Sequence, residues 1–467
     1  MVIFERFGLS RLHFIGIGGT GMSGIAEVLL NLSLEVSGCD RAKSEATDRL
    51  ERLGATIWEG HGAEHLDGVD LVVKSSAVPD DNPEIVEARR RGITVVRRAE
   101  MLAELMRLKY GVALAGTHGK TTTTSMVGAV LTEAGLDPTV IVGGRMRALG
   151  TGARIGRGDY LVAEADEFDR SFLRLHPVIA AVTNIDVDHL DTYRDLADIE
   201  DAFVEFANRV PFFGRAILCI DDPNVQRIMP RITRRIVTYG VSAQAELAGY
   251  DVRPVAGGSR FRVREAANGA LGEIELPMPG LHNVRNALVA VAVARAMQID
   301  FEVVARALAA FGGVHRRFER LGAWRGATVV DDYAHHPTEL AATLEAARQV
   351  YPESRIHLVF QPHLFSRTRD LAAEFGGSLL GADVVLVTPI YPSREEPIPG
   401  VTSELVVREA RARGHRSVIH VESFDDAVER LCDSVREGDL VITAGAGNVN
   451  RLAETLVRGP EGEETVE

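Results

Sequence analysis

The residues with the most chemistry per position lie at Gly116-Thr117-His118-Gly119-Lys120-Thr121. Behind them runs the apolar stretch GVALA, and ahead of them the helical segment TTTTSMVGAVLTEAG. Strand, glycine turn and helix in that order let loop amides, the Lys120 ammonium and the Thr121 hydroxyl converge on phosphate oxygens and Mg2+. The chain holds lysine only at positions 43, 74, 109 and 120, so a step that needs an ammonium points to Lys120. The loop is shorter than GxxxxGK[ST], because Leu114 stands where that pattern has its first glycine. A second glycine turn, Gly16-Ile-Gly18-Gly19-Thr20-Gly21, also follows a strand and opens a helix, beginning with Met22 and Ser23. It has the form that brings backbone close to a pyrophosphate at a helix N-terminus, and Asp40, 19 residues past Gly21, stands near where an acid would hold a ribose. Two such turns suit a chain that holds a phosphorylated or nucleotide-linked substrate on one domain and ATP on the next.

Acidic clusters follow two later apolar strands. Glu164-Ala-Asp166-Glu167 comes after YLVA, and Asp186-Val-Asp188-His189-Leu-Asp191 after VIAAVTNI. Open α/β sheets place ligand crevices at the C-terminal ends of their strands, and Mg2+ beside a triphosphate takes oxygen ligands, of which a carboxylate and Thr121 supply some.

Positioning these groups takes several βα units. LHFIGI, LEVSGCD, ATIWEG, DLVVKSS and ITVV alternate with helical stretches up to about Arg107. GVALAG, YLVAEAD, VIAAVTNI and RAILCI make a second series that passes into hairpins turning at Gly257-Gly258 and Asn268-Gly269, then the helical HNVRNALVAVAVARAM and FEVVARALAAF. Gly312-Gly313 suits a hinge, and ATVVDDY, RIHLVFQ, DVVLVTPIY, SVIHV and DLVITAGAGN form a third series. The expected fold is α/β with three domains: an N-terminal Rossmann-like domain over 1–107 for a phosphorylated or nucleotide-linked substrate, a central P-loop ATPase-like domain over 108–312, and a C-terminal Rossmann-like α/β domain over 313–467. At 467 residues, 46% hydrophobic and 25% charged, with no apolar run long enough to span a bilayer, the composition is that of a soluble globular chain with no membrane role. A net charge of −14 without a basic block argues against nucleic acid as a partner. The N-terminus shows no signal-peptide pattern, and three scattered cysteines, Cys39, Cys219 and Cys432, argue against a disulfide framework or a zinc cluster; a cytoplasmic location follows. The acidic tail after Arg458 is expected to be loose.

With these residues in place the sequence resembles the Mur ligase family over nearly its whole length, through HFIGIGGTGMSGIA, GTHGKTTTT, EADEFDRSFL, NIDVDHLDTY, HNVRNAL, HRRFERLG, DDYAHHPTEL, FQPHLFSRTRDL and TAGAGN. The resemblance implies a ligase of peptidoglycan precursor synthesis that joins L-alanine to UDP-N-acetylmuramate through an acyl phosphate, with ATP and Mg2+, in a monomer or homodimer. It implies that Gly16, Gly18, Gly19, Thr20, Gly21, Met22 and Ser23 grip the UDP-sugar rather than a nicotinamide dinucleotide, helped by Asp40, His61, Ser75 and Arg98. ATP falls to Gly116, Thr117, His118, Gly119, Lys120, Thr121 and Thr122, with Asn283 and Asn286 near the adenine, Arg317 at the phosphates and Asp332 at the ribose. Thr121, Glu164 and His189 are the implied metal ligands, and Tyr333, His335 and Arg367 the implied alanine site, with His335 as the group that positions the amine or takes its proton and His336 adjacent. The pattern departs from the family in two places. No lysine follows His189 in LDTYRDLADIEDAFVEFANRVPF, so the carbamylated lysine that bridges a second Mg2+ in some relatives is excluded, and Leu364 stands where some relatives carry arginine, which shifts the alanine carboxylate onto Arg367, with Arg369 nearby. Other readings that keep both glycine turns are a recycling ligase that adds a preformed tripeptide and a nucleotide-gated binding protein.

Overall fold

The computed structural model describes residues 3–146, 151–190, 192–393 and 395–459. The acidic tail and Asp191 therefore lie outside the described residues. The chain forms two compact units: the first runs to 251 and adds 261–275 and 285–314, while the second takes 252–260, 276–284 and the chain from 315 onward. The division after Val314 falls close to the glycine pair at 312–313.

The first unit opens with a parallel sheet of β1 (Arg11–Ile15), β2 (Glu35–Asp40), β3 (Thr56–Glu59), β4 (Leu71–Lys74) and β5 (Thr94–Arg97), in the order β3-β2-β1-β4-β5. The winding direction reverses at β1, so a crevice opens at its C-terminal end, where the Gly16–Gly21 turn lies. A ten-stranded sheet follows: β6 (Tyr110–Ala115), β7 (Thr139–Met146), β8 (Thr151–Arg154), β9 (Tyr160–Glu164), β10 (Ile179–Val182), β11 (Arg215–Cys219), β12 (Ile236–Gly240), β13 (Leu247–Val255), β14 (Gly258–Glu265) and β15 (Gly269–Leu276). Its order is β15-β14-β13-β12-β11-β10-β6-β9-β7-β8, parallel from β13 to β7, with β8 antiparallel at the edge. Val112, Ala113, Leu114 and Ala115 of β6 are all buried, the continuous apolar run of a strand covered on both faces.

The first two sheets share one hydrophobic core, which joins Phe14, Ile25 and Leu102 with Ala113, Ile141, Phe172 and Phe206. The helix Thr20–Asn31 lies on β7 and β8, and Gly24 faces them so closely that a Cβ there would stand 3.3 Å from Ala153 Cβ. The antiparallel pair of β7 and β8 makes this contact, and the alternation pattern of the sequence did not reveal it, because the two strands are rich in glycine and arginine.

The second unit holds a sheet of β16 (Glu319–Trp324), β17 (Ala327–Asp332), β18 (Ile356–Phe360), β19 (Val384–Val387), β20 (Val418–His420) and β21 (Leu440–Ala444), in the order β16-β17-β21-β18-β19-β20. Only β16 is antiparallel to its neighbour. Alternating residues feed two cores: Val330, Leu358, Val385 and Ile442 pack on one face, Val329, Val359, Leu386 and Val441 on the other. No helix among the described residues is long and apolar enough to cross a membrane.

Candidate active site

The two glycine turns have matched scaffolds. Each leads from a buried parallel strand into a helix whose N-cap is a glycine, Gly19 for Thr20–Asn31 and Gly119 for Lys120–Glu133, with no side-chain cap and no acidic residue in the first turn. Four other helices of the unit are capped by side chains, those of Ser44, Asn82, Asp195 and Asp222. The positive helix ends at the two turns thus carry no side-chain cap, which suits an anion.

At the first turn Gly16 takes φ +79°, and Gly18 N donates to Asp40 Oδ2 at 2.8 Å. Asp40 also accepts from Arg41 N at 2.8 Å, so its carboxylate braces the turn. Ser75 sits beside Gly16, and Arg98 lies across the first turn of the helix, where a Cβ on Gly21 would meet Arg98 Nη1 at 2.9 Å. Met22 is buried and Ser23 N closes the turn on Gly19 O at 2.8 Å. His61 Nδ1 lies 3.1 Å from Glu84 Oε2. The Thr20 side chain lies outside the described residues. Arg98 Nη2 also stands 3.9 Å from Asp166 Oδ2, which ties the first turn to the acids of the central sheet.

The second turn is tighter and more charged. Gly116 has φ +135°, and a Cβ on it would overlap Thr183 Oγ1; Gly119 has φ +83°, and a Cβ there would come within 2.7 Å of Asn286 Oδ1. These close approaches are why glycine stands at both positions. His118 N donates to Asn184 Oδ1 at 2.8 Å, His118 Nε2 pairs with Asp186 Oδ2 at 3.2 Å, and Asp186 N donates to Thr117 Oγ1 at 2.9 Å. Lys120 Nζ donates to Gly116 O at 2.8 Å and to both oxygens of the buried Glu167 at 3.0 and 2.8 Å. Burial pulls the Lys120 pKa down, but the charges of Glu167, Asp166 and Glu164 outweigh it and hold the group above its ordinary value as an ammonium. The threonines divide in role: Thr124 and Ser125 bond back to Lys120 O and Thr121 O inside the helix, Thr122 is buried, and Thr121 hydrogen-bonds Glu164.

The strand order brings the acids in. Because β6 lies between β10 and β9, the loops after those two strands flank the Lys120 turn from either side. Glu164 Oε1 accepts from Gly143 N at 2.8 Å, and His189, at φ +55°, holds Nε2 3.6 Å from Asp188 Oδ2 and 4.0 Å from Glu167 Oε1. Burial, only partly offset by Gly143 N, Thr121 and Lys120, keeps Glu164 above its ordinary value; burial against Lys120 does the same at Glu167. One ammonium among Glu164, Asp166, Glu167, Asp186 and Asp188 leaves a site rich in negative charge, with hydroxyl and carboxylate donors that fit a hard divalent cation. Glu167, which pairs with Lys120 directly, and Asp186, which pairs with His118, stand in the acidic clusters named from the sequence but were given no individual role there. Their signal was their position just past an apolar strand.

In the helix Leu281–Ala296, Asn286 adjoins Gly119, and Asn283 Nδ2 donates to Pro279 O at 2.7 Å.

In the second unit Asp332 is buried at the end of β17, accepting from Phe318 N at 2.7 Å and Ala334 N at 2.8 Å; burial pushes its pKa up to about 6, against the pull of Arg317. Arg317 lies over the Tyr333 ring at 5.2 Å, with Nη1 3.7 Å from Glu339 Oε1. From Tyr333 a run of rings continues: His335 at 5.4 Å, His363 a further 5.8 Å on, then Tyr391 stacked on His363 at 5.8 Å. His363 and Tyr391 extend the group beyond the residues the sequence pointed to. His335 is partly exposed and held by Glu339, with Nδ1 at 3.2 Å from Oε2, whereas His336 is buried and caps the helix Pro337–Val350 through Thr338 N. Arg367 is buried in the short helix Phe365–Asp370, which starts at Leu364 with φ +70°, while Arg369 is exposed and pairs with Asp370 at 2.6 Å.

Three sheets of α/β build, a glycine turn at a switch point, and a lysine-bearing turn flanked by acids define a nucleotide-handling enzyme of modular form. The chain belongs to the Mur ligase family: residues 11–110 match its "Mur ligase family, catalytic domain", 114–294 its "Mur ligase middle domain" and 316–447 its "Mur ligase, glutamate ligase domain". It is 53% identical to the UDP-N-acetylmuramate--L-alanine ligase of Geobacter sp. (strain M21), over 96% of this chain and 97% of that one. Among solved structures it resembles the UDP-N-acetylmuramate-alanine ligase of Thermotoga maritima (TM-score 0.81, 30% identity, 96% and 98% of the two chains) and a murein peptide ligase of Psychrobacter arcticus (TM-score 0.70, 26% identity, 96% and 98%).

Proposed function

We propose that this chain joins L-alanine to the carboxylate of UDP-N-acetylmuramate at the expense of ATP, in the cytoplasmic synthesis of peptidoglycan precursors. Identity of 53% across almost the whole chain to a ligase of that name carries the choice of substrates, and the Lys120 site supports the chemistry. In this reading residues 1–107 bind the UDP-sugar, 108–312 bind ATP and 313–467 bind the amino acid.

A carboxylate and an amine do not condense in water, because neither offers a leaving group. Here the muramate carboxylate attacks the γ-phosphorus of ATP in line, the bond to the ADP oxygen breaks, and an acyl phosphate forms. Lys120, freed from Glu167 by the stronger charge of the triphosphate, holds the phosphoryl oxygens; Arg317 adds a second cation. Amides of Gly116 to Thr122 cradle the phosphates, Asn283 and Asn286 line the adenine, and Asp332 takes the ribose. Thr121, Glu164 and His189 would hold Mg2+, which when bound neutralises phosphate charge. The neutral amine of alanine then attacks the acyl carbon, its proton passes to His335 or solvent, and phosphate leaves from the tetrahedral intermediate. Tyr333 and Arg367 position alanine, with Arg367 on its carboxylate. At the other end Gly16 to Ser23, Asp40, Ser75, His61 and Arg98 hold the UDP-sugar.

Phosphate release from purified protein with ATP and UDP-N-acetylmuramate tests the assignment directly. L-alanine should drive turnover; a clear preference for a preformed tripeptide, or ATP turnover indifferent to any amine, would overturn it.

A further inference from the structure

Beneath the first sheet lies a second cluster of chemically capable side chains that the proposed reaction does not use. His13 on β1, Cys39 on β2, His65 in the turn Ala63–Leu66 and Glu84 in the first turn of the helix Pro83–Arg91 are all buried, and one ligand atom from each lies within 4.8 Å of every other. His65 Nδ1 is 2.6 Å and His13 Nε2 3.5 Å from Glu84 Oε1, while Cys39 Sγ is 2.9 Å from Glu84 Oε2. We propose that His13, Cys39, His65 and Glu84 form a tetrahedral site for a borderline-soft divalent transition ion of the Zn2+ class.

Four observations carry this. The donor set is two imidazoles, one thiol and one carboxylate, which as neutral imidazoles, thiolate and carboxylate brings two negative charges to a dication in a site without water-exposed charge. The spacing is close to what four ligands need: bonds of about 2.0–2.3 Å to a tetrahedral centre put ligand atoms about 3.3–3.8 Å apart, so the shortest pair, 2.6 Å, opens and the wider pairs, all within 4.8 Å, close, each by about 1 Å or less. His13 Nε2 is buried and meets only Glu84 Oε1, at 3.5 Å, inside the cluster, while its Nδ1 lies 3.0 Å from Ser37 Oγ. A ring that donates its far N–H to an outer partner and aims its other nitrogen inward is the posture of a metal-bound histidine. Finally, the scaffold is rigid: Ser37 and Cys39 share one face of β2, Trp58 stacks on His65 at 4.5 Å, and Asn82 caps the Glu84 helix at 2.9 Å. His61, partly exposed and 3.2 Å from Cys39 Sγ, gives the access route. Binding replaces the Cys39 thiol proton, which leaves to solvent. The donor set separates this site from the oxygen-rich one at Lys120, which suits Mg2+.

The test uses the untagged full-length chain. After loading with Zn2+ and dialysis in Mg2+ buffer, about one zinc per chain should remain by plasma mass spectrometry, and Co2+ should give thiolate charge-transfer and tetrahedral d–d bands. Cys39→Ser should abolish the charge-transfer band and weaken zinc retention by more than the roughly 10–100-fold typical of losing an outer-shell partner; His65→Gln, a second variant, should weaken retention likewise, and Cys432→Ser should change neither. A folded wild-type chain with no thiolate–cobalt band overturns the proposal on its own, and so does a band that survives in Cys39→Ser. In either case the cluster is a hydrogen-bonded core network and nothing more.

Discussion

The two glycine turns share a build and differ in their neighbours. Both end a parallel strand, both use glycine at positive φ, and both open a helix without a side-chain cap. Beside the turn at 16–21 stands Asp40, bonded to Gly18 N, with Arg98 across Gly21; beside the turn at 116–121 stands a buried Lys120 held between Glu167 and the loop carbonyls. A phosphate that is only gripped needs amides and a helix end. A phosphate that is to be transferred needs a cation whose charge is kept available, and acids that recruit a metal, because charge moves in the transition state. In the proposed function the first turn holds and the second transfers, and the contrast between their neighbours supports that reading.

The sharpest way to break that contrast is Lys120→Ala. Ligation measured as phosphate release should fall about 10^3-fold, while UDP-sugar affinity by calorimetry stays within a factor of two or so of the parent; a collapse of UDP-sugar binding in a folded variant would merge the two sites into one. Gly116→Ala should cost roughly 1–3 kcal/mol of stability, read from urea unfolding, because its φ is +135° and its Cβ would overlap Thr183. An unchanged midpoint would mean that the loop is slack. Asp40→Asn should weaken UDP-sugar binding about tenfold, or about 1.4 kcal/mol, and leave the KM for ATP alone; the opposite pattern would reverse the assignment. The smallest effect is one of pH. Glu164 is held above its ordinary 4.5, chiefly by burial, so the ligand-free fold keeps a proton that the unfolded chain has lost. The stability this adds is complete below pH 4.5 and disappears as pH rises through the folded pKa. Glu164→Gln should therefore gain stability relative to the parent as pH rises over that range, and a parallel pair of curves would show that the acid does not titrate there.

Much of the first unit could be read from the chain alone. Buried parallel strands are continuous apolar runs, and a glycine turn between strand and helix is a local pattern, so Gly16–Gly21 and Gly116–Thr121 stand out without a structure. The antiparallel pair β7 and β8 did not, since glycines and arginines blur its alternation, and it is placed by pairing with β9 and packing against the helix Thr20–Asn31. Nor did the partner of Lys120. Glu164, Asp166 and Glu167 are equivalent in sequence, and only the fold shows Glu167 bonded to the ammonium. In the second unit, two neighbouring histidines separated into a helix cap, His336, and a partly exposed ring, His335.

The cysteine count argued against a zinc cluster, and the site proposed here is of a kind that count does not address. His13, Cys39, His65 and Glu84 come from two strands, a turn and a helix with no short spacing between them, so no motif could announce them. What sequence by itself determined here is whatever depends on neighbours a few residues apart: strand runs, helix starts, and the glycines and lysine of a phosphate loop. Which distant side chains meet was left to the tertiary structure, because strand order, not chain order, sets who stands beside whom, and burial then gives carboxylates that look alike in sequence different surroundings.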